Sequence, residues 1–234
     1  MAELELIELY PSPYSERVRW VLETKRVPYR RTPYVPLAGE EDHKRRTGIA
    51  TAPVLIADGE VIGDSDVAVD WLEARHPSPA LVPDNARRRA QVRAWELFAT
   101  EALAPLGRIV AIGRYKEMNL QPLADHFAAK YHWSEAEGAR GDRVLRTVLP
   151  ELAAAVAGSP YLVGDQFTRA DLTIAAMLNP VLGLPDDELF SIDKGMRSMF
   201  GLSYAADPSL GPLRAWRDCT YRNHRGGRVV PPNG

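Results

Sequence analysis

Ser12 stands where a hydroxyl can do chemistry. It lies in Tyr10-Pro11-Ser12-Pro13-Tyr14-Ser15-Glu16-Arg17, a turn with a proline on each side of one serine. Proline has no backbone N–H, so neither a strand nor a helix continues through such a turn. A helix that opens directly after it puts Ser12 at a helix N-terminus, where free N–H groups and the macrodipole favour an anion. A hydroxyl held there can donate a hydrogen bond to a thiolate and draw a thiol pKa of about 8.5 towards neutrality. The plainer alternative is an N-cap, the commonest role of a serine before a helix. Tyr14 and Ser15 are alternative hydroxyl donors in the same turn, and Tyr10 is a weaker one. A second polar group stands at Asp64-Ser65-Asp66. N–H groups and a hydroxyl suit a carboxylate, and an acidic side chain suits an ammonium. The set therefore fits the end group of an amino acid.

Hydrophobic spacing gives the elements that must position these groups. Leu4-Glu5-Leu6-Ile7-Glu8-Leu9-Tyr10 mostly alternates and reads as a strand. Tyr14, Val18, Val21 and Leu22 recur at helical spacing, so a helix starts near Tyr14 and ends near Lys25 and Arg26. Residues 29–35 form a second strand, which Pro33 confines to an edge or to its end. This β-α-β opening implies parallel strands. Residues 37–48 are polar and read as a loop with a short helix over 40–46. Two apolar runs then flank Asp58-Gly59, a strong hairpin signal. Val67, Ala68, Trp71 and Leu72 return to helical spacing, with Ser65 as the expected N-cap. Ala52-Pro53 begins the third strand. A cis bond there would turn the backbone of Ala52 or Val54 outward to pair with a peptide-like ligand, although trans is the commoner form. The order β-α-β-α-β-β-α describes a thioredoxin-like half.

With these motifs in this order, the sequence resembles the cytosolic glutathione transferases. Ser12-Pro13-Tyr14 is similar to the Cys-Pro-aromatic turn of the omega class, with serine in the cysteine position. Ser12 with Arg17-Val18-Arg19 resembles the zeta-class turn. Ala52-Pro53-Val54-Leu55 matches the family's cis-proline segment, and Asp64-Ser65 its acid–serine motif. The resemblance implies an α/β plus all-α molecule. It has a thioredoxin-like glutathione-binding domain over 1–77, a linker over 78–85 and an all-helical C-terminal domain over 86–234. It implies that glutathione is the co-substrate and that Ser12 activates its sulfur. Tyr14, Ser15, Ala52 and Pro53 would line its site, Val54 would pair its backbone with the cysteinyl part, and Asp64 and Ser65 would hold the γ-glutamyl end. A small electrophile would sit against the helical domain, near Arg108, Ile112 and Tyr115. The family further implies a homodimer in the cytoplasm.

Two departures from the family pattern bear on this reading. The basic residue expected shortly before the cis-proline is replaced by Thr51; His43, Lys44 or Arg45 could substitute for it. Serine in place of cysteine cannot form a mixed disulfide, so the turn suits conjugation, isomerisation or peroxide reduction by the bound thiol. Two alternatives stay open: a non-catalytic binding protein of the same fold, and an enzyme that uses another low-molecular-weight thiol.

Composition excludes other classes. Lys+Arg 29 against Asp+Glu 31 gives a net charge of −2, with nothing to attract nucleic acid. The single cysteine, Cys219, permits no internal disulfide and reads as a partly buried small side chain. The acidic start Met-Ala-Glu-Leu-Glu is not a signal peptide, and no segment approaches the ~20 apolar residues of a membrane span. The second half is helical by spacing. One long helix runs from Ala86 beyond Arg108, and the triplet Arg87-Arg88-Arg89 makes a solvated face. Further helices cover 121–133 and 143–156, the latter kinked by Pro150. His126 and His132 point about 240° apart on a helix, so they cannot share a metal ion, and no metal is expected. Thr168 and Asp171 form a capping box, with Phe167 and Leu172 as its hydrophobic staple. Residues 184–207 are loop-rich, and 208–221 form the last helix with Leu213 and Trp216 inward. The basic tail over 222–228 reads as solvated, or else as a cover for the site mouth.

Overall fold

Leu4 and Leu6 join one apolar cluster and Ile7 another, because alternate residues of a strand face opposite sides of its sheet. In a computed structural model of the protein, which describes residues 4–186 and 188–232, this strand is β1, Leu4–Glu8. It is followed by α1 (Pro13–Thr24), β2 (Arg30–Pro33), α2 (Glu40–Thr47), β3 (Val54–Ala57), β4 (Glu60–Ile62) and α3 (Ser65–Arg75). The sheet order is β2-β1-β3-β4. β1 runs parallel to β2 and antiparallel to β3, with Leu6 opposite Leu55 and Ile7 opposite Val54. The hairpin turn places Asp58 and Gly59 at φ 50° and 87°, the two positive values that a tight two-residue hairpin needs. This is the expected thioredoxin-like order.

The helical domain begins with α4 (Ala86–Phe98), passes through a π turn (Ala99–Leu103) and continues as α5 (Ala104–Glu117). The π turn has a chemical cause. The Ala104 N–H reaches back five residues to the Ala99 carbonyl. The next donor in that ladder would belong to Pro105, which has none. The Tyr14 hydroxyl donates to the Thr100 carbonyl instead, at 2.9 Å. A proline in one domain is thus complemented by a phenol from the other, beside the Ser12 turn.

The remaining helices are α6 (Gln121–Lys130), α7 (Glu135–Val156), α8 (Arg169–Met177), α9 (Asn179–Leu182), α10 (Lys194–Ser198) and α11 (Gly211–His224). The buried helix α8 carries the expected box: the Asp171 carboxylate accepts from the Thr168 N–H at 2.8 Å and from the Leu162 N–H at 2.7 Å. Among the described residues no helix is long and apolar enough to cross a membrane.

Several expectations are corrected here. The N-cap of α3 is Asp64, not Ser65; its carboxylate accepts from the N–H groups of Asp66 (2.7 Å) and Val67 (3.3 Å). Asp64 has the extended backbone of a cap, and Ser65 is already helical. α7 starts at Glu135, eight residues before the apolar stripe that announced it, because Ser134 caps it by accepting from the Glu137 N–H. Gly141 is what hides this early part: a Cβ there would stand 3.2 Å from Val110, so α5 and α7 approach closely without an apolar side chain. Cys219 is exposed rather than partly buried. The tail is not simply solvated. Arg225 is buried and pairs with Glu16 at 2.7 Å and with Glu23. Val229 bridges to Phe190, and the Tyr10 hydroxyl donates to the carbonyls of Ser191 and Val229. The tail therefore packs against α1 and Tyr10, and none of its described residues lines the cavity.

Candidate active site between the two domains

The Ser12 turn opens onto a cavity of about 320 Å³ at the seam of the two domains. The first domain supplies Leu9 and the residues from Pro11 to Tyr14, together with Tyr34, Thr51 and Ala52. From α5 come Ala104, Arg108, Ala111 and Tyr115; from α6 and the residue after it come Leu123, Phe127, Lys130 and Tyr131. Met196, Met199 and Phe200 close the remaining side.

Ser12 has an extended backbone, φ −68° and ψ 131°, and its carbonyl accepts from the Glu16 N–H at 2.9 Å. Its position is that of a cap, but its hydroxyl caps nothing and has no hydrogen-bond partner among the described residues. The other hydroxyls of the turn are placed differently. Tyr14 lines the cavity, yet its proton is committed to Thr100. Tyr10 is committed to Ser191 and Val229. Ser15 is fully buried and outside the cavity lining. Ser12 alone of the four presents an uncommitted hydroxyl to the cavity.

The phenols around it stay protonated near neutral pH. Burial pushes Tyr10 up to about 12 and also raises Tyr14 and Tyr115. Burial raises Tyr34 as well, reinforced by its hydrogen bond to Glu40 at 2.6 Å. None of these can take a proton from a thiol as phenolate.

The sequence-predicted residues divide into those the structure brings together and those it does not. Ser12, Tyr14, Ala52, Arg108 and Tyr115 line the cavity. The Ala52–Pro53 bond is cis, as the family segment implies. Pro53 and Val54 are buried behind the lining, and Val54 pairs with Ile7 in the sheet. Ile112 is fully buried in the core, because 104, 108, 111 and 115 fall on the cavity face of α5 and 112 does not. Asp64 and Ser65 stand apart at the start of α3. There Arg17 lies 3.5 Å from the Ser65 hydroxyl and 2.7 Å from Asp66. Of the proposed substitutes for the missing base, His43 Nε2 is held 3.0 Å from the Thr51 carbonyl, and Arg45 pairs with Asp42 on the surface. Among the described residues no interaction of Lys44 supports the role.

Sequence reasoning missed Lys130, which reaches that corner from the helical domain. Its Nζ stands 3.1 Å from Glu40 and 3.2 Å from the Ala50 carbonyl. Burial alone would raise Glu40, but hydrogen bonds from Tyr34 and Lys130 outweigh it and hold the carboxyl low. His126 Nε2 lies 3.0 Å from the same Glu40. Phe127 and Tyr131 were also missed, although 123, 127, 130 and 131 share one face at helical spacing.

A thioredoxin-like sheet domain joined to a helical domain, with a cavity at their seam, defines the fold class. The comparisons agree. The family model "Glutathione S-transferase, N-terminal domain" matches residues 6–80, and "Glutathione S-transferase, C-terminal domain" matches 121–187. A probable maleylacetoacetate isomerase from Caenorhabditis elegans is 30% identical over 178 residues, 74% of this chain and 76% of that protein. A probable glutathione S-transferase from Nicotiana tabacum is 30% identical over 112 residues, 44% of this chain and 47% of that protein, so the match spans about half of that relative. The structure of a glutathione S-transferase from Methylobacillus flagellatus KT with glutathione bound superposes with a TM-score of 0.67. It is 22% identical and covers 97% of this chain and 100% of the other. The chain belongs to the glutathione S-transferase family.

Proposed function

We propose that the protein is a glutathione transferase in which Ser12 stabilises the glutathione thiolate and α5 and α6 hold the electrophile. The observation that carries this reading is the uncommitted Ser12 hydroxyl at the N-terminus of α1, on the wall of a cavity where Tyr10 and Tyr14 are committed to backbone carbonyls and whose lining excludes the buried Ser15. Solvent takes the thiol proton. The Ser12 O–H then donates to the sulfur, and the positive end of α1 adds to it. The sulfur forms a bond to an electrophilic carbon, whose electron pair leaves with a departing group or moves to the adjacent carbon and takes a proton. Asp64 and Ser65 at the start of α3 are assigned to the γ-glutamyl end, and the cis Ala52–Pro53 corner to the cysteinyl backbone. The assembly assigned to the chain is a homodimer, which light scattering on the eluting protein tests.

A related reading keeps the same thiolate but releases it again. Addition to a conjugated double bond, rotation and elimination would isomerise the substrate, with glutathione regenerated. Relatives named as probable maleylacetoacetate isomerases favour it. Product analysis separates the two: a conjugate accumulates in one and glutathione is not consumed in the other. The shared step is tested by substitution. Ser12→Ala lowers turnover by roughly 100-fold, the scale of losing one hydrogen bond to a developing anion, whereas Ser15→Ala leaves the thiolate intact. Equal turnover of Ser12→Ala and the parent protein would sink the assignment. A calorimetric titration with glutathione, weakened by Ser65→Ala, tests the γ-glutamyl site.

A further inference from the structure

The cavity has an unbalanced charge. Arg108 and Lys130 line it, and no carboxylate does among the described residues. Lys130 is neutralised by Glu40. Arg108 is paired with no carboxylate among the described residues. By contrast, the fully buried guanidinium groups of Arg17, Arg19 and Arg225 each meet at least one carboxylate. Arg108 is also held in place. Its Cζ stands 4.2 Å from the Tyr131 ring centroid and 5.4 Å from that of Tyr14. Stacking of this kind fixes the guanidinium plane and leaves N–H groups at its edge for a planar two-oxygen acceptor. Around it the wall is apolar: Ala104, Ala111, Phe127 and Phe200. In so apolar a place an ion pair is worth more than in water.

We infer that Arg108 is the specificity-determining residue for the second substrate, and that this substrate is a planar unsaturated carboxylate. The carboxylate would take the guanidinium edge and the flat apolar body would lie against the aromatic wall. The unsaturated carbon would then be turned towards the Ser12 side of the same cavity. This inference rests on the proposed function for the nucleophile, but its binding half needs no thiol.

The test uses cinnamate and cinnamamide, which share one planar body and differ in charge. Each is titrated calorimetrically into the full chain without glutathione, for the parent protein, Arg108→Met and Arg108→Lys. The expected result is a preference for cinnamate of about tenfold or more in the parent protein, absent in Arg108→Met and partly kept in Arg108→Lys. Equal binding of the two probes by the parent protein overturns the inference, as does a preference that survives in Arg108→Met. Arg108→Lys and a thermal melt of each variant guard against misfolding. Glutathione is titrated into the same three proteins. Weakening of glutathione in Arg108→Met with the cinnamate preference intact would assign Arg108 to the co-substrate instead, and overturns the inference. Failure of the parent protein to bind glutathione strikes the thiol reading alone, since the cinnamate comparison stands without it.

Discussion

At the scale of the residue, the turn separates hydroxyls by what else they have to do. Ser12 has nothing to satisfy but the cavity, whereas Tyr14 completes a backbone ladder 86 residues away. Tyr14→Phe therefore strands the Thr100 carbonyl, and its cost should be about 1–3 kcal/mol in urea unfolding, with the Ser12 chemistry retained. A loss confined to turnover, with stability unchanged, would mean that the phenol serves the ligand. Ser12→Cys makes the complementary prediction. A cysteine at this helix N-terminus has a lowered pKa and trades disulfides. Incubation with oxidised glutathione should then add one glutathione to the variant at residue 12 and none there in the parent protein, as peptide mass spectrometry reads directly. Ser12 was legible in the sequence because a strand, two prolines and a helix define its place locally. The commitments of Tyr10 and Tyr14 were not, because their partners lie at Val229 and Thr100.

At the scale of the element, α1 is the most heavily charged buried segment. Glu16, Arg17 and Arg19 are all buried, and only their helical spacing is visible in the sequence. Glu16 accepts from Arg19 and from Arg225, the residue that follows α11. Burial alone would raise its carboxyl, but the two guanidinium groups outweigh burial and hold it below the ordinary 4.5. The sign follows from linkage. The folded pKa is the lower one, so the stabilisation is complete above the unfolded value and is lost as pH falls through the folded value. Unfolding free energy should thus decline below about pH 4.5, and Glu16→Gln should flatten part of that decline. Glu16→Ala leaves two buried guanidinium groups short of a partner and should cost about 3–5 kcal/mol. The capping box of α8 is the opposite case. Thr168 and Asp171 lie within one turn, so the sequence was enough to place them.

At the scale of the whole molecule, the two domains are joined by a fully buried carboxylate. Glu96 of α4 takes Arg17 of α1 at 2.6 Å and Arg169 of α8 at 2.9 Å. Glu96→Ala should destabilise the chain by about 3–5 kcal/mol and, by loosening the seam, weaken ligand binding in the cavity. Unchanged urea midpoints would show that the apolar contacts alone fix the domains. The order of elements and the two-domain plan were legible, because each rests on local periodicity and turn chemistry. The cavity was legible only in part. Arg108 and Tyr115 could be placed on the helix that overhangs the site, but Lys130, Met199 and Phe200 enter it through tertiary packing, which no local pattern encodes.

The most direct test of the central claim is the thiolate itself. Absorbance of glutathione bound to the parent protein and to Ser12→Ala, followed between pH 5 and pH 9, reads the pKa of its sulfur. The account predicts a thiol that titrates well below about 8.5 on the parent protein and returns towards that value on Ser12→Ala. Identical titrations on the two proteins, with glutathione bound to both, would contradict it and return Ser12 to the role of a turn residue.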